Sequence, residues 1–387
     1  MARCAKVDDL DLASATSAQD PEAMSEELES DFEQSQSTSV DGEAGVDLED
    51  SDAISISSVD TVPRPLKRSR TTCYDGLPGK VRDLKLIPRQ FLNIVLMLMY
   101  VQGPGILCQV DCVELFAGCH SITNGMRGLD YSAVSLDMAT VSEHDDLNTS
   151  KGFLRAITYV LGMKPGGLLW AAPPCSSWVW LSRGSTGRSL ENPMGQTSYG
   201  RVRAANEQGS RVLLLILLAV VLRNAVFIGE QPATTLLPHH QRWKTILEDK
   251  LQDSLIQFLM WMQPFGSHTP KRTWLVSNSE RVQTLCKPLE KSERNVQTTR
   301  TVTRANGSTY VEGTADLKST QAYPAAFGRA VASTYSDIVS SGWQEVQVMP
   351  EDVGSIPCSN EVWEEANLNQ VLKDLDALYQ VRRQADA

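Results

Sequence analysis

No two of the eight cysteines are spaced as a CxxC pair, and no apolar stretch reaches the roughly 20 residues that a bilayer requires. The first absence argues against a disulfide scaffold and against the common paired-cysteine zinc sites. With no secretory leader pattern either, the expected setting is reducing and intracellular. Cys108, Cys112 and Cys119 are irregularly spaced, with His120 beside the last. They read either as a zinc site or as a strand-flanking cluster. The two longest apolar runs, Phe91–Val101 and Val212–Leu222, last about 11 residues each, and read as buried helices of a soluble protein with no membrane partner.

Basic residues are scarce at both ends. Residues 1–60 hold 17 acids against 2 bases, and residues 344–387 hold 9 against 3. The whole chain carries a net charge of −11, so residues 61–343 are basic by about 10 charges. A basic middle between acidic tails suits a polyanionic partner, nucleic acid above all, although the same excess spread over a surface is ordinary. The Ser-, Asp- and Glu-rich N-terminal region (1–75) has too little apolar content to fold, so disorder is expected. It ends near PRPLKRSR (63–70), which reads as a nuclear-import signal or as a chance neighbour of an acidic tail.

From residue 76 the pattern alternates. A helix is expected from Pro88 to Tyr100. QVDCVELFA, YSAVSLD, GGLLWAAPP, AVFIGEQP and TWLVSN read as strands, separated by helical segments at Gly152–Gly162, Glu207–Asn224 and His240–Met262. Such alternation predicts an α/β domain over 76–343, a doubly wound and mostly parallel sheet with ligands at the carboxyl ends of its strands. Ser279–Ala322 is polar and rich in Thr, Arg and Lys, with a hairpin turn expected at ANGS, and reads as a small insert. The tail 344–387 is acidic, with one helix expected from about Asn360 to Arg382.

Each motif with chemical content follows an expected strand. In VELFAGCHS, Gly118 allows a tight turn close to a ligand, and the acid ending the next strand, Asp137, stands where nucleoside-binding units hold ribose hydroxyls. A plain strand–helix turn is the alternative. In HDDLNTS, Asp146 suits an adenine amino group and Leu147 the ring face, while Asn–Thr–Ser also suits a helix cap. In WAAPPCSSW, two prolines rigidly place Cys175, as a nucleophile needs, or as a buried small side chain tolerates. Glu230 closes the apolar strand FIGE, where desolvation would raise its pKa toward general-acid work unless it is simply exposed. Lys271 and Arg272 precede the next strand, where an arginine suits a base edge or a phosphate.

In this order the motifs resemble those of the DNA cytosine-C5 methyltransferase family. Phe116–Ser121 resembles its FAGxGG turn, Asp137 its strand-two acid, Asp146–Leu147 its acidic–apolar pair, Pro173–Pro174–Cys175 its nucleophile loop, Glu230–Gln231–Pro232 its glutamate motif and Tyr323–Ala332 its closing helix. The resemblance spans Val113 to Tyr335. It implies a Rossmann-like methyltransferase fold, S-adenosyl-L-methionine as cofactor, and nucleic acid, DNA before RNA, as substrate. By the same resemblance Cys175 is the attacking thiolate, Glu230 holds or protonates the base, and Arg272 contacts the base or its phosphate. Phe116, Gly118, Asp137, Asp146, Leu147 and Pro174 would line the cofactor. Departures fall inside the motifs: His120 and Ser121 replace a glycine pair, Ser176 follows the cysteine, and Gln231–Pro232 replaces NV.

Overall fold

The computed structural model describes residues 87–103, 109–244, 255–289, 296–343 and 365–385. The acidic N-terminal region, the basic run 63–70, Cys108 and the start of the acidic tail lie outside these residues.

Helix α1 (Arg89–Gln102) leads to β1 (Val110–Leu115), α2 (Ser121–Arg127), β2 (Ala133–Leu136), α3 (Ser150–Leu161), β3 (Met163–Ala171), α4 (Gly200–Arg223) and β4 (Val226–Pro232). Then follow β5 (Ile256–Trp261), β6 (Arg272–Ser277), the hairpin β7 (Thr299–Thr303) and β8 (Thr309–Gly313), α5 (Ala325–Ser340) and α6 (Leu368–Ala385). Six strands form one sheet in the order β2-β1-β3-β4-β6-β5. β1 pairs in parallel with β2 and β3, and β3 with β4, whereas β6 runs antiparallel between β4 and β5. The expected mostly parallel α/β sheet is therefore present. The hairpin turn expected at ANGS is also there, with Arg304 N donating to the Ser308 carbonyl at 2.8 Å.

One expectation fails. His240–Met262 reads as helical, and Gln241–Trp243 is a helical turn, yet Ile256–Trp261 is the edge strand β5, with 245–254 outside the described residues. Its sequence, IQFLMW, is nearly all apolar, and such a short run carries neither the period of a strand nor that of a helix. Antiparallel pairing with β6 decides it. A second departure concerns the cysteines. Cys112, Cys119 and Cys175 are free thiols, whereas Cys286 is disulfide-bonded.

Strand alternation divides the interior. Val113, Leu115, Leu169, Ala171 and Phe227 face a core shared with α1, α3, α4 and α6. Cys112, Leu168, Trp170, Val226, Ile228 and Leu275 face the core under α2 and α5. Helix α4 is long and apolar enough to cross a membrane, but 78% of its apolar window is buried inside the protein. Helices α2 and α5 meet backbone to backbone: a Cβ on Gly328 would lie 1.8 Å from the Ser121 carbonyl oxygen, and one on Gly125 2.3 Å from that of Gly328. Two glycines thus set how closely α5 approaches the turn after β1. A cavity of about 420 Å³ is lined by Asn93, Leu96, Met97, Leu372, Lys373 and Asp376. All six belong to α1 and α6, and none to the strand ends.

Candidate active site

The chain passes from β1 outward to β2, then crosses back to β3 on the other side of β1. Sheets of this kind open a crevice at that reversal, at the carboxyl ends of the strands. Four expected segments converge there: the turn after β1, the residue after β2, the proline loop after β3 and the end of β4.

The turn after β1 is unusual in its backbone. Phe116 (φ 61°), Gly118 (φ 51°) and His120 (φ 57°) are all left-handed, a conformation that costs non-glycine residues on the order of 1 kcal/mol or more. Two contacts hold it. Gly118 N donates to Asp137 Oδ2 at 3.0 Å. Glu114, fully buried in β1, accepts from Ile122 N (3.3 Å) and Thr123 N (2.8 Å) at the start of α2. A Cβ added to Gly118 would meet nothing within 4 Å, so the turn borders open space. The other oxygen of Asp137 accepts from Ala139 N (2.9 Å) and Thr140 N (3.0 Å). Burial pushes this carboxyl up, but the backbone donors outweigh it and hold it below the usual range. It is an ionised acceptor with its geometry already set.

Asp146 builds a turn before α3. Its Oδ1 accepts from Asn148 N at 2.9 Å, and its carbonyl accepts from Thr149, whose own hydroxyl caps α3 by accepting from Gly152 N at 3.0 Å. The capping reading of this loop therefore holds, while Asp146 stays half-buried beside the crevice. Leu147 does not fit its expected part: at 1% exposure it is packed in the core with Phe153 and α4. Its side chain has no face to offer a ring. Phe116 remains partly buried against the same core.

The proline loop is fastened to β4. Gln231, buried, donates to the Pro173 carbonyl and accepts from the Thr235 hydroxyl at 3.2 Å. Pro174 is exposed, and the Cys175 carbonyl accepts from Trp178 N (2.8 Å) and Val179 N (3.0 Å). Because Ala171 and Gly229 are register partners, the loop places Cys175 beside Glu230. At 5% exposure, Glu230 accepts from the Tyr323 hydroxyl at 2.6 Å through one oxygen and pairs with Lys271 Nζ at 3.3 Å through the other. Burial raises the Cys175 thiol pKa first, the negative charge of Glu230 adds to the rise, and Lys271 opposes it. Tyr323 is itself raised by burial and then by Glu230, so its phenol stays a donor.

Arg272 is not part of this cluster. It is exposed at the start of β6, its guanidinium 5.7 Å from the Trp261 ring. The first residue of an antiparallel strand points its side chain opposite to that of its neighbour, and Lys271, not Arg272, reaches the carboxylate. Three further site residues escaped the sequence reading: Glu114, Gln231 as a tether, and Tyr323 as the partner of Glu230. Glu114 had a signal, an acid inside an otherwise apolar strand just before the glycine turn. Tyr323 lay in the closing-helix motif, but nothing in it pointed to Glu230, and the packing of α5 on α2 brings the two together. No group of three or more potential metal ligands occurs among the described residues.

These couplings predict opposite shifts in thiol reactivity. Replacing Lys271 with Met removes the opposing cation, so Cys175 should alkylate only at higher pH than in the wild type. Glu230→Gln removes the anion that raises the pKa, and the profile should move to lower pH. Iodoacetamide labelling rates against pH, followed by mass spectrometry of the Cys175 peptide, measure both. Identical profiles in the two variants would refute the coupling. Compared with known proteins, the chain matches no family model and no curated protein sequence.

Proposed function

We propose that the protein transfers a methyl group to C5 of a cytosine in nucleic acid, with Cys175 as the nucleophile. The observation that carries the reading is the meeting of a rigidly placed thiol with a buried carboxylate on neighbouring strand ends, beside an open glycine turn. A thiolate and a carboxylate so placed can engage two edges of one pyrimidine. The mostly parallel six-stranded sheet with its helices is compatible with the Rossmann-like fold that the resemblance implies.

S-adenosyl-L-methionine supplies an electrophilic methyl group when bound. The residues present fit it: Gly118 borders open space, Asp137 is an ionised acceptor for ribose hydroxyls, Asp146 stands by for the adenine amino group, and Phe116 offers a partly exposed ring. The Cys175 thiol gives up its proton to water, and the thiolate adds to C6 of a base taken out of its stack, forming a C–S bond and placing the electron pair toward C5. Glu230, oriented by Tyr323 and Lys271, accepts from the amino group of the base and, once protonated, donates to N3 while that charge builds. After methylation, the C5 proton passes to water, its bonding pair restores the C5–C6 double bond, and the thiolate is expelled.

The departures from the family pattern favour a working site over a remnant. The hydroxyl of Ser121 donates to the Tyr323 carbonyl at 2.7 Å, Gln231 tethers the proline loop, and Lys271 pairs with Glu230. Ser121, Gln231 and Lys271 thus take part in holding the catalytic groups. The insert, whose described residues hold one small hairpin and two short helices, offers little surface for reading a duplex, so DNA and RNA are both tested as substrates. Oligonucleotides carrying 5-fluorocytosine, as DNA and as RNA, are incubated with protein and S-adenosyl-L-methionine. A denaturation-stable adduct at Cys175 is expected with DNA. An adduct with RNA alone moves the substrate, and no adduct with either removes the reading.

Asp137→Ala should weaken S-adenosyl-L-methionine binding by roughly 1–3 kcal/mol, the cost of stranding hydroxyl and amide donors. Calorimetry checks this, and an unchanged affinity would overturn the pocket assignment.

A further inference from the structure

Arg211, on α4, is 1% exposed and lies behind the Asp146–Thr149 loop. Its guanidinium donates to the Leu147 carbonyl at 2.6 Å, the Thr149 carbonyl at 3.0 Å, the Ala366 carbonyl at 3.0 Å and Glu207 Oε1 at 2.5 Å. One planar fork therefore ties the cofactor-side loop to the segment that begins the C-terminal helix, 155 residues away along the chain from Arg211. The same segment has a second anchor. Glu365 pairs with Arg242, which donates to the Ser210 hydroxyl at 3.2 Å. Two residues from Arg242, the fully buried His240 packs edge-on against Trp178, 5.5 Å between ring centroids, and Trp178 N holds the Cys175 carbonyl. Ala366, Leu368, Val371 and Leu375 then bury themselves in the core that also contains Leu147 and Phe153.

We propose that the C-terminal segment Glu365–Leu375 is a positioning element for the candidate site, coupled through Arg211 to the loop that would hold the cofactor's adenine. The assignment of that loop rests on the function proposed above, whereas the mechanical coupling does not. Arg211 holds the Leu147 carbonyl and shares the Thr149 carbonyl with Phe153 N (3.1 Å), and part of the guanidinium's place is built by Ala366. When the segment leaves, Arg211 loses an acceptor and gains access to water, so the loop and the first turn of α3 open more often. Coupling of this kind is reciprocal: a ligand that orders the loop must also favour the docked segment. Anything that competes for the acidic C-terminal segment would thereby lower affinity at the site without touching it.

The test uses the full chain and hydrogen exchange read by mass spectrometry. Val371 is fully buried, so Val371→Asp should expel α6. Glu365→Gln is the milder variant, in case the first fails to fold. In either, amides of Asn148–Phe153 should exchange about 10-fold faster while β1, β3 and β4 stay protected. Affinity for S-adenosyl-L-methionine should fall by about 5- to 10-fold. In the wild type, that ligand should slow exchange across Leu368–Leu375, which a merely structural helix would not show. An undocked α6 with unchanged exchange at Asn148–Phe153 overturns the coupling. Wild-type protein that fails to bind S-adenosyl-L-methionine, yet shows the exchange changes in the variants, overturns the cofactor reading and leaves the coupling standing.

Discussion

Cys175→Ser should abolish both the covalent adduct and methyl transfer, by on the order of 10⁴-fold or more, as removal of a nucleophile does elsewhere. The serine hydroxyl, far weaker as a nucleophile at neutral pH, has no adjacent base to activate it: Glu230 is already engaged by Tyr323 and Lys271. The substitution changes one atom in a half-buried position, so stability and S-adenosyl-L-methionine affinity should stay near wild type. That contrast separates a chemical role from a packing role. A serine variant that still methylates would make Cys175 structural and direct attention to another substrate class.

Gly328→Ala should destabilise the protein by about 3 kcal/mol, toward the upper end for overpacking a filled interior. In an unconstrained helix the same change would be favourable by about 1 kcal/mol, so its sign is diagnostic. The added methyl would sit 1.8 Å from the Ser121 carbonyl oxygen and 2.5 Å from its carbon. Both are backbone atoms at the start of α2, which the Glu114 carboxylate holds in place. The clash is relieved only by moving α5 outward. That motion would carry Tyr323 away from Glu230 and slow any chemistry at Cys175 as well. Urea unfolding of the variant gives the first effect, and Gly200→Ala, where an added Cβ meets nothing within 4 Å, serves as the neutral control. A Gly328→Ala protein as stable as wild type would mean that α2 and α5 are not in the contact described.

The sequence by itself determined the alternation of strands and helices, because period and composition are local properties of a dozen residues. It also placed the chemistry-bearing residues at strand ends: Gly118, Asp137, Cys175 and Glu230 each follow a buried apolar run that could hardly be anything else. It failed at IQFLMW, where the run was too short and too uniformly apolar to show a period, and pairing with β6 was needed to make it a strand. Leu147 looked available to a ligand in the chain but lies in the core, since the loop's facing depends on Arg211 and on residues far along the chain.

Only the tertiary structure decided which groups act on one another. Sequence order put Arg272 in the site and gave Lys271 no role, whereas the alternation of β6 brings Lys271 to Glu230. Tyr323 lies 93 residues from Glu230, and no local pattern links them. Their contact exists because two glycines let α5 press onto α2 until the backbones touch. Position along the chain told where chemistry is placed. The electrostatics of Cys175, Glu230, Lys271 and Tyr323 arise from burial and long-range approach, which only folding supplies.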